Sequence, residues 1–242
     1  MSAGRRPRAR VLAGAFVTVL LVAVAALALT RAERPEPPSE RPVLLLVTTL
    51  PLIFGEEFSL EGGGSSALEA LDAHYRVVPI GTTDAPSLRE AELLLMAQPL
   101  AQPAEALVDL DRWVREGGRL LLLADPKLDW PSERPLGDKL RPPPAFADTG
   151  LLAHWGLRLE GPNPSGPAER ELGGHRILAV SPGSLKGACT IAGDAFVARC
   201  RIGKGQATIV ADADFLNVDQ LDGPKDRNLD GLVTELETLG AH

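Results

Sequence analysis

Three aspartates that could bind a cation or transfer a proton follow apolar runs of the chain. Asp125 follows the run at residues 119–124, and Asp212 and Asp214 follow the run that ends at Ala211. Two or three carboxylates at one place could hold Mg²⁺ or Ca²⁺, or act as general acid and base. They could instead accept hydrogen bonds from backbone N–H groups of loops and helix starts. We favour the second interpretation, because no complete ligand set has the spacing of a known metal loop.

Two threonines are further candidates for contact with a ligand. Thr48 and Thr49 come directly after the apolar run at residues 43–47. In open α/β sheets the carboxyl ends of the strands share one edge, and ligands bind there. The sequence therefore predicts one candidate ligand site at this edge, formed by the two threonines and the three aspartates.

Nucleophilic catalysis requires a nucleophile, a base and an orienting group within reach of one another. The sequence contains no G-x-S-x-G motif, and Ser65 and Ser66 are better explained as a helix cap. The four histidines fall on a predicted helix end, in loops and at the C-terminus: His74, His154, His175 and His242. We therefore assign no catalytic residue, no cofactor and no metal ligand from the sequence.

The elements that must position these residues follow from hydrophobic patterning. Continuous apolar runs at residues 43–47 and 119–124 are typical of strands buried on both faces, and residues 75–80 and 92–96 predict two further strands. Ser66 with Glu69 predicts a capping box that opens a helix. Pro103 predicts the start of a second helix, and Gly117 its end. This order of elements predicts an α/β fold with a mainly parallel sheet flanked by helices.

The second half of the chain has a different pattern. Residues 125–150 contain six prolines, which predicts an excursion over the surface. Asn228 or Asp226 is expected to cap a closing helix that Gly240 ends. Short strands are predicted at residues 176–180, 189–191, 196–202 and 207–211.

The first thirty residues predict a location. Residues 11–30 carry no charge, and twenty residues of helix span about 30 Å, the thickness of a bilayer's hydrocarbon core. Arginines in residues 1–10 predict a cytoplasmic tail, a single-pass inner-membrane anchor and an exported remainder. A cleaved signal peptide is the alternative. Residues 31–42 contain four prolines and predict a linker, so that 43–242 would form a periplasmic, extracytoplasmic α/β domain.

Composition excludes several classes of protein. A net charge of −7 argues against a nucleic-acid binder, and 4% aromatic residues leave few platforms for stacking bases. Two cysteines cannot form a four-cysteine zinc site. The expected partners are the lipid bilayer, through residues 11–30, and a membrane or envelope protein, with no nucleic acid.

The two cysteines predict a disulfide bond. A hairpin whose turn centres on Asp194 and Ala195 places Cys189 opposite Cys200. Directly opposed residues have Cβ atoms about 4.5–5.5 Å apart, which allows a disulfide. The alternative is a pair of buried thiols, because a shift of one residue in register would put them on opposite faces.

Two stretches resemble a known family. Residues 91–126 (AELLLMAQPLAQPAEALVDLDRWVREGGRLLLLADP) and 203–216 (GKGQATIVADADFL) are similar to periplasmic domains of the GldG-like, uncharacterised ABC-type transport auxiliary proteins. The resemblance implies a fold like that of class I glutamine amidotransferases or flavodoxin, preceded here by one transmembrane helix. It implies no amidotransferase activity, and neither Cys189 nor Cys200 lies in the sharp turn that a nucleophilic cysteine of that fold occupies.

Two functional hypotheses follow from these observations. The first is a non-catalytic, membrane-anchored extracytoplasmic domain that binds a partner and assists an ABC-type transport or envelope system. The alternative is a metal-assisted hydrolase that uses the aspartates at the carboxyl edge of the sheet.

Overall fold

The computed structural model describes residues 41–54 and 64–241. The strands in this part of the chain are β1 Val43–Thr48, β2 Arg76–Pro79, β3 Leu93–Ala97, β4 Arg119–Leu123, β5 Leu157–Glu160, β6 Pro167–Leu172, β7 His175–Val180, β8 Ser184–Gly187, β9 Thr190–Ile191, β10 Val197–Ile202 and β11 Gly205–Val210. The helices are α1 Ser66–His74, α2 Ala85–Leu88, α3 Ala104–Glu116, α4 Leu151–His154 and α5 Asn228–Gly240, with a 3₁₀ turn at Asp214–Leu216.

One seven-stranded sheet organises these elements. Its strand order is β2-β1-β3-β4-β11-β10-β9. The first five strands are parallel to their neighbours, and β10 and β9 extend the sheet as antiparallel strands. Two smaller antiparallel pairs, β5 with β8 and β6 with β7, complete the described part. The predicted α/β class with a mainly parallel sheet is confirmed.

Leucine-rich strands form the centre of the core. β1, β3 and β4 are buried along nearly their whole length, as expected for strands that are covered on both faces. Helix α3 buries Ala106, Leu110 and Val114, which recur every four residues on one face. Helix α5 buries Leu232 and Leu236 in the same manner.

Two predicted helix starts differ from the structure. The cap of α1 is Ser65, whose hydroxyl accepts a hydrogen bond from the Leu68 N–H, so the predicted capping box of Ser66 is displaced by one residue. Helix α5 starts at Asn228 without a side-chain cap, because the buried Asn228 amide instead bonds Leu178 and Phe215. A buried amide that satisfies distant backbone groups cannot also cap its own helix.

The sequence patterns did not predict three of the strands. They are β5, β6 and β8, all outside the main sheet. β6 reads Pro-Ala-Glu-Arg-Glu-Leu, and only its last residue is buried. A strand that buries so little apolar surface carries almost no hydrophobic signal in its sequence. Residues 125–150 contain no helix or strand, in agreement with the predicted surface excursion.

The hairpin that carries the cysteines has the predicted register. Ala198 lies opposite Ile191 and Arg199 opposite Thr190, so the next pair along is Cys200 and Cys189. The structure joins these two cysteines in a disulfide bond.

The predicted transmembrane helix has no counterpart among the described residues. No helix in 41–54 or 64–241 is long and apolar enough to cross a bilayer. The predicted tail (1–10), the predicted anchor (11–30) and the linker up to residue 40 lie outside the described residues.

Candidate functional site

The strand register brings the predicted aspartates together. Leu123 of β4 lies opposite Val210 of β11 in a parallel pair, so Asp125 and Asp212 each follow two residues later at the carboxyl edge. Asp214 begins the 3₁₀ turn directly behind them. Asp125 and Asp212 are fully buried, and Asp214 is 3% exposed.

Asp125 ties the ends of the two strands to each other. Its Oδ1 accepts a hydrogen bond from the Lys127 N–H at 2.8 Å. Its Oδ2 accepts from the Ala213 N–H at 2.9 Å and, more weakly, from the Asp214 N–H at 3.4 Å. Both carboxylate oxygens are thus engaged by the backbone.

Asp212 joins the end of β11 to the end of β7 through similar hydrogen bonds. Its Oδ1 accepts a hydrogen bond from the Phe215 N–H and its Oδ2 from the Val180 N–H, each at 2.9 Å. The Asp214 Oδ2 accepts a hydrogen bond from the Asp129 N–H at 2.7 Å. These contacts are the backbone hydrogen bonds that the second interpretation of the sequence describes, and they organise the loops at this edge.

Burial changes the proton affinity of the three aspartates. Burial, together with the negative charge of Asp125, raises the pKa of Asp214 to about 8. Burial raises the pKa of Asp125 to about 6, although hydrogen bonds from Ala213 and Lys127 oppose this shift. The pKa of Asp212 is also raised well above its ordinary value by burial and by its two neighbours. The cluster therefore retains protons near neutral pH, although it consists of acids.

A serine, a lysine and a fourth aspartate cover this cluster on its solvent side. The Ser181 hydroxyl donates a hydrogen bond to the Asp129 Oδ2 at 3.0 Å. The Lys127 Nζ lies 3.5 Å from the Ser181 Oγ and 3.5 Å from the Asp129 Oδ2. The Lys127 and Asp129 side chains are 46% and 42% exposed. This group, the Ser181–Lys127–Asp129 cluster, brings a hydroxyl, an ammonium and a carboxylate within reach of one another at the surface.

Ser181 has an unusual backbone conformation. It follows β7 directly and has a φ of 53°, a left-handed value that non-glycine residues rarely adopt. Its Oγ accepts a hydrogen bond from the Gly166 N–H, and its own N–H donates to the Gly166 carbonyl, both at 3.0 Å. Sequence reasoning missed this residue, because Val-Ser-Pro-Gly matches no nucleophile motif. The only sequence signal is a polar residue after a buried strand.

The two predicted threonines lie on a different part of the edge. Thr48 and Thr49 line a groove of about 490 Å³, whose other walls include Ile53, Phe54, Leu100, Arg134, Lys139 and Leu140. The Thr48 Oγ1 accepts a hydrogen bond from the Leu50 N–H.

A glutamine separates this groove from the aspartates. The Thr49 hydroxyl donates to the Gln98 carbonyl, and the Gln98 side chain bonds the backbone N–H and carbonyl of Asp125. The structure therefore does not unite the five predicted residues in a single open site.

The donor set does not match a metal site. Among residues 41–54 and 64–241 no three His, Cys, Asp or Glu side chains are grouped so that they could hold a metal ion. The carboxylate oxygens of Asp125 and Asp212 are occupied by backbone N–H groups, which leaves them poorly placed as ligands.

Comparison with known proteins finds only distant structural similarity. No protein-family model and no curated protein matches the sequence. An exo-β-1,4-mannosidase from Opitutaceae bacterium strain TAV5 is similar at 17% identity and a TM-score of 0.49, over 81% of this chain and 35% of that chain. The GH42 β-galactosidase Gan42B from G. stearothermophilus is similar at 17% identity and a TM-score of 0.47, over 85% of this chain and 30% of that chain. A protein from Salmonella typhimurium, described as cytoplasmic, is similar at 12% identity and a TM-score of 0.49, over 82% of this chain and 98% of that chain. The chain thus spans about a third of the length of the two glycosidases.

Several predictions from the sequence are corrected by these findings. The resemblance to GldG-like transport auxiliary proteins is wrong, because no protein-family model matches the sequence. The prediction of a non-catalytic binding domain auxiliary to a transporter is withdrawn with it.

The predicted location is corrected as well. The predicted single-pass inner-membrane protein with a periplasmic domain finds no support in residues 41–54 and 64–241, which hold no helix long and apolar enough to cross a bilayer.

Proposed function

We propose that the protein is a hydrolase whose general base is Asp129. The observation that carries this proposal is the contact between the Asp129 carboxylate and the Ser181 hydroxyl, 3.0 Å apart at the carboxyl edge of the sheet. A candidate general base must lie within hydrogen-bond reach of the proton that it removes, and Asp129 satisfies this requirement. The edge is also where ligands bind in open α/β sheets.

Asp129 is better suited to this role than the aspartates behind it. Its side chain is 42% exposed, whereas Asp125 and Asp212 are fully buried and have both oxygens engaged by backbone N–H groups. A substrate can therefore approach Asp129 without unfolding the loops. The Asp214 Oδ2 accepts a hydrogen bond from the Asp129 backbone N–H at 2.7 Å, so Asp214 acts as a positioning residue.

Lys127 supplies the positive charge that hydrolysis requires. Its ammonium lies 3.5 Å from the Asp129 carboxylate and 3.5 Å from the Ser181 Oγ. An ammonium at this place stabilises the oxyanion that develops as a nucleophile adds to a carbonyl or phosphoryl group. Asp214, whose pKa is raised to about 8, retains its proton at neutral pH and so reduces the competing negative charge.

A substrate panel with matched variants tests the proposal. The full chain is assayed against 4-nitrophenyl esters, phosphates and glycosides, including β-galactosides and β-mannosides, the substrates that two similar structures are named for. We expect hydrolysis of at least one class, and we expect Asp129→Asn to lower kcat/KM about 100-fold or more, since general-base catalysis contributes about 10²–10⁴-fold.

The control is Asp222→Asn, which removes a charge from an exposed loop residue outside the site. It should leave kcat/KM unchanged within about twofold. Hydrolysis of none of these classes, or equal activity of the Asp129→Asn variant and the wild type, would contradict the proposal.

A further inference from the structure

We propose that Ser181 is the nucleophile of this site and that the substrates are carboxylic esters, which pass through a covalent acyl-serine intermediate. This inference rests on the proposed function and deepens it. A carboxylate base in contact with a hydroxyl can act either on a bound water or on the hydroxyl itself, and the geometry around Ser181 points to the hydroxyl.

The hydrogen bonds around Ser181 orient its proton and its lone pairs. The hydroxyl proton points to the Asp129 Oδ2, 3.0 Å away. The Gly166 N–H and the Lys127 ammonium both donate to the same oxygen, at 3.0 and 3.5 Å. A serine whose proton faces a carboxylate is placed for removal of that proton, and the Oγ lone pair that Lys127 contacts becomes free to attack when the ammonium moves away.

The backbone conformation is a second and independent observation. Three non-glycine residues of the described chain have a positive φ, namely Gln98, Ser181 and Ala195. Ala195 lies in the hairpin turn next to β10, where such a conformation is ordinary. Gln98 follows β3, and its side chain bonds the backbone of Asp125. Ser181 follows β7, whose last residue bonds Asp212 at the carboxyl edge, and its side chain faces Asp129. Strained residues cluster at active sites, where the surrounding structure holds a reactive group in a fixed direction.

Access to the Ser181 Oγ is controlled by the two side chains that cover it. Ser181 is 1% exposed, whereas Lys127 and Asp129 are each almost half exposed. Among the described residues, the Lys127 ammonium contacts only Ser181 and Asp129. For a substrate to reach the hydroxyl, the Lys127 ammonium must move off the Ser181 Oγ, and its flexible stem allows it to stay beside the carbonyl oxygen of the bound ester.

The reaction balances with these groups alone. The Ser181 Oγ forms a bond to the carbonyl carbon of the ester as its proton passes to the Asp129 Oδ2. Pro182, the residue after the nucleophile, has no N–H that could stabilise the resulting oxyanion. The Lys127 ammonium lies beside the oxyanion and stabilises it instead.

The tetrahedral adduct collapses when the ester C–O bond breaks, and Asp129 returns the proton to the leaving alcohol. A water then attacks the acyl-serine as Asp129 takes its proton, and the carboxylic acid is released as the proton returns to the Ser181 Oγ.

Covalent labelling of the full chain tests the assignment directly. A fluorophosphonate probe reacts with an activated serine by displacement of fluoride, and mass spectrometry of the digested protein locates the adduct. We expect one adduct per chain on the peptide that contains Ser181. Ser165→Ala, an exposed serine one residue before Gly166, is the matched control and should label at the wild-type rate. Asp129→Asn should label at least tenfold more slowly.

Two variants separate catalysis from folding. Ser181→Ala removes the hydroxyl but keeps the strained φ, whereas Ser181→Gly removes the hydroxyl and relieves the strain, because glycine adopts a positive φ without steric cost. Both variants should lose the adduct and the ester hydrolysis. The glycine variant should melt at the wild-type temperature or above, so its loss of activity cannot come from unfolding.

The outcomes distinguish this inference from the proposed function. An adduct on another residue, or none on a wild-type protein that hydrolyses esters in an Asp129-dependent way, overturns the role of Ser181 and leaves the hydrolase proposal intact. Wild-type activity in the Ser181→Gly variant does the same. Absence of both the adduct and any hydrolysis overturns both.

Discussion

Replacement of Asp214 by Asn should make the protein more stable than the wild type, by a margin that grows as the pH rises. The pKa of Asp214 is about 8 in the folded protein and 3.8 as its ordinary value. Because the folded state holds this proton more tightly than the unfolded state, the stabilising effect of the proton is complete below pH ~4 and is lost as the pH rises to ~8. An asparagine has no proton to lose, so the variant escapes this loss.

The magnitude follows from the shift in pKa. A difference of about four pH units corresponds to ~5 kcal/mol of unfolding free energy, at 1.36 kcal/mol per unit. This figure is an upper limit, because Asp125 and Asp214 share protons and the removal of one acid eases the ionisation of the other. We expect the variant to gain at least ~2 kcal/mol over the wild type between pH 5 and pH 8. The asparagine can still accept from the Asp129 N–H and donate to Asp125.

Urea denaturation at pH 4, 5, 6, 7, 8 and 9 measures this difference. The two proteins should have nearly equal free energies of unfolding at pH 4, and the gap between them should widen steadily up to pH 8. Asp222→Asn provides the control, because this exposed residue should give a curve parallel to that of the wild type. Parallel curves for the wild type and the Asp214→Asn variant between pH 5 and pH 8 would refute the reasoning.

Two further predictions concern the framework around the site. Asn228→Ala removes a buried amide that bonds the Leu178 N–H, the Leu178 carbonyl and the Phe215 carbonyl at 2.8, 3.0 and 2.8 Å. We expect a loss of ~3 kcal/mol in urea denaturation, because three buried polar groups lose their partner, and a loss below ~1 kcal/mol would contradict this assignment. The disulfide of Cys189 and Cys200 should leave no alkylatable thiol in the denatured, non-reduced full chain. Mass spectrometry after alkylation checks this, and two alkylated cysteines would show that the bond is absent.

Some features of the fold could be predicted from short stretches of sequence. The leucine runs of β1, β3 and β4 predict strands buried on both faces, because such a strand has no solvent-facing side on which to place polar residues. The helix α3 follows from apolar residues at helical spacing and from Gly117 at its end, which has a φ of 131°.

The cysteine hairpin also belongs to this group. Its register depends on a turn of a few residues, so the pairing of Cys189 with Cys200 could be worked out locally. The position of three aspartates at the carboxyl edge follows in the same way, because each comes directly after an apolar strand.

The role of those aspartates was decided only by the tertiary structure. The Asp212 carboxylate accepts a hydrogen bond from the N–H of Val180, which lies 32 residues away in the chain. Its burial therefore depends on how such distant segments pack. Burial then raises the pKa values of these acids, and their carboxylates organise the loops through backbone hydrogen bonds. A sequence shows the presence of a carboxylate, but the desolvation that shifts its pKa depends on every element packed around it.

The candidate nucleophile depends on the fold in the same manner. Ser181 and Asp129 lie 52 residues apart in the chain, and neither is part of a recognisable motif. The left-handed backbone of Ser181 is imposed by its surroundings and opposes the intrinsic preference of serine. Local propensity and hydrophobic spacing therefore determined the order of the strands and helices along the chain. Contacts between distant residues determined which polar side chains meet, because chemistry between side chains depends on distances that no local pattern encodes.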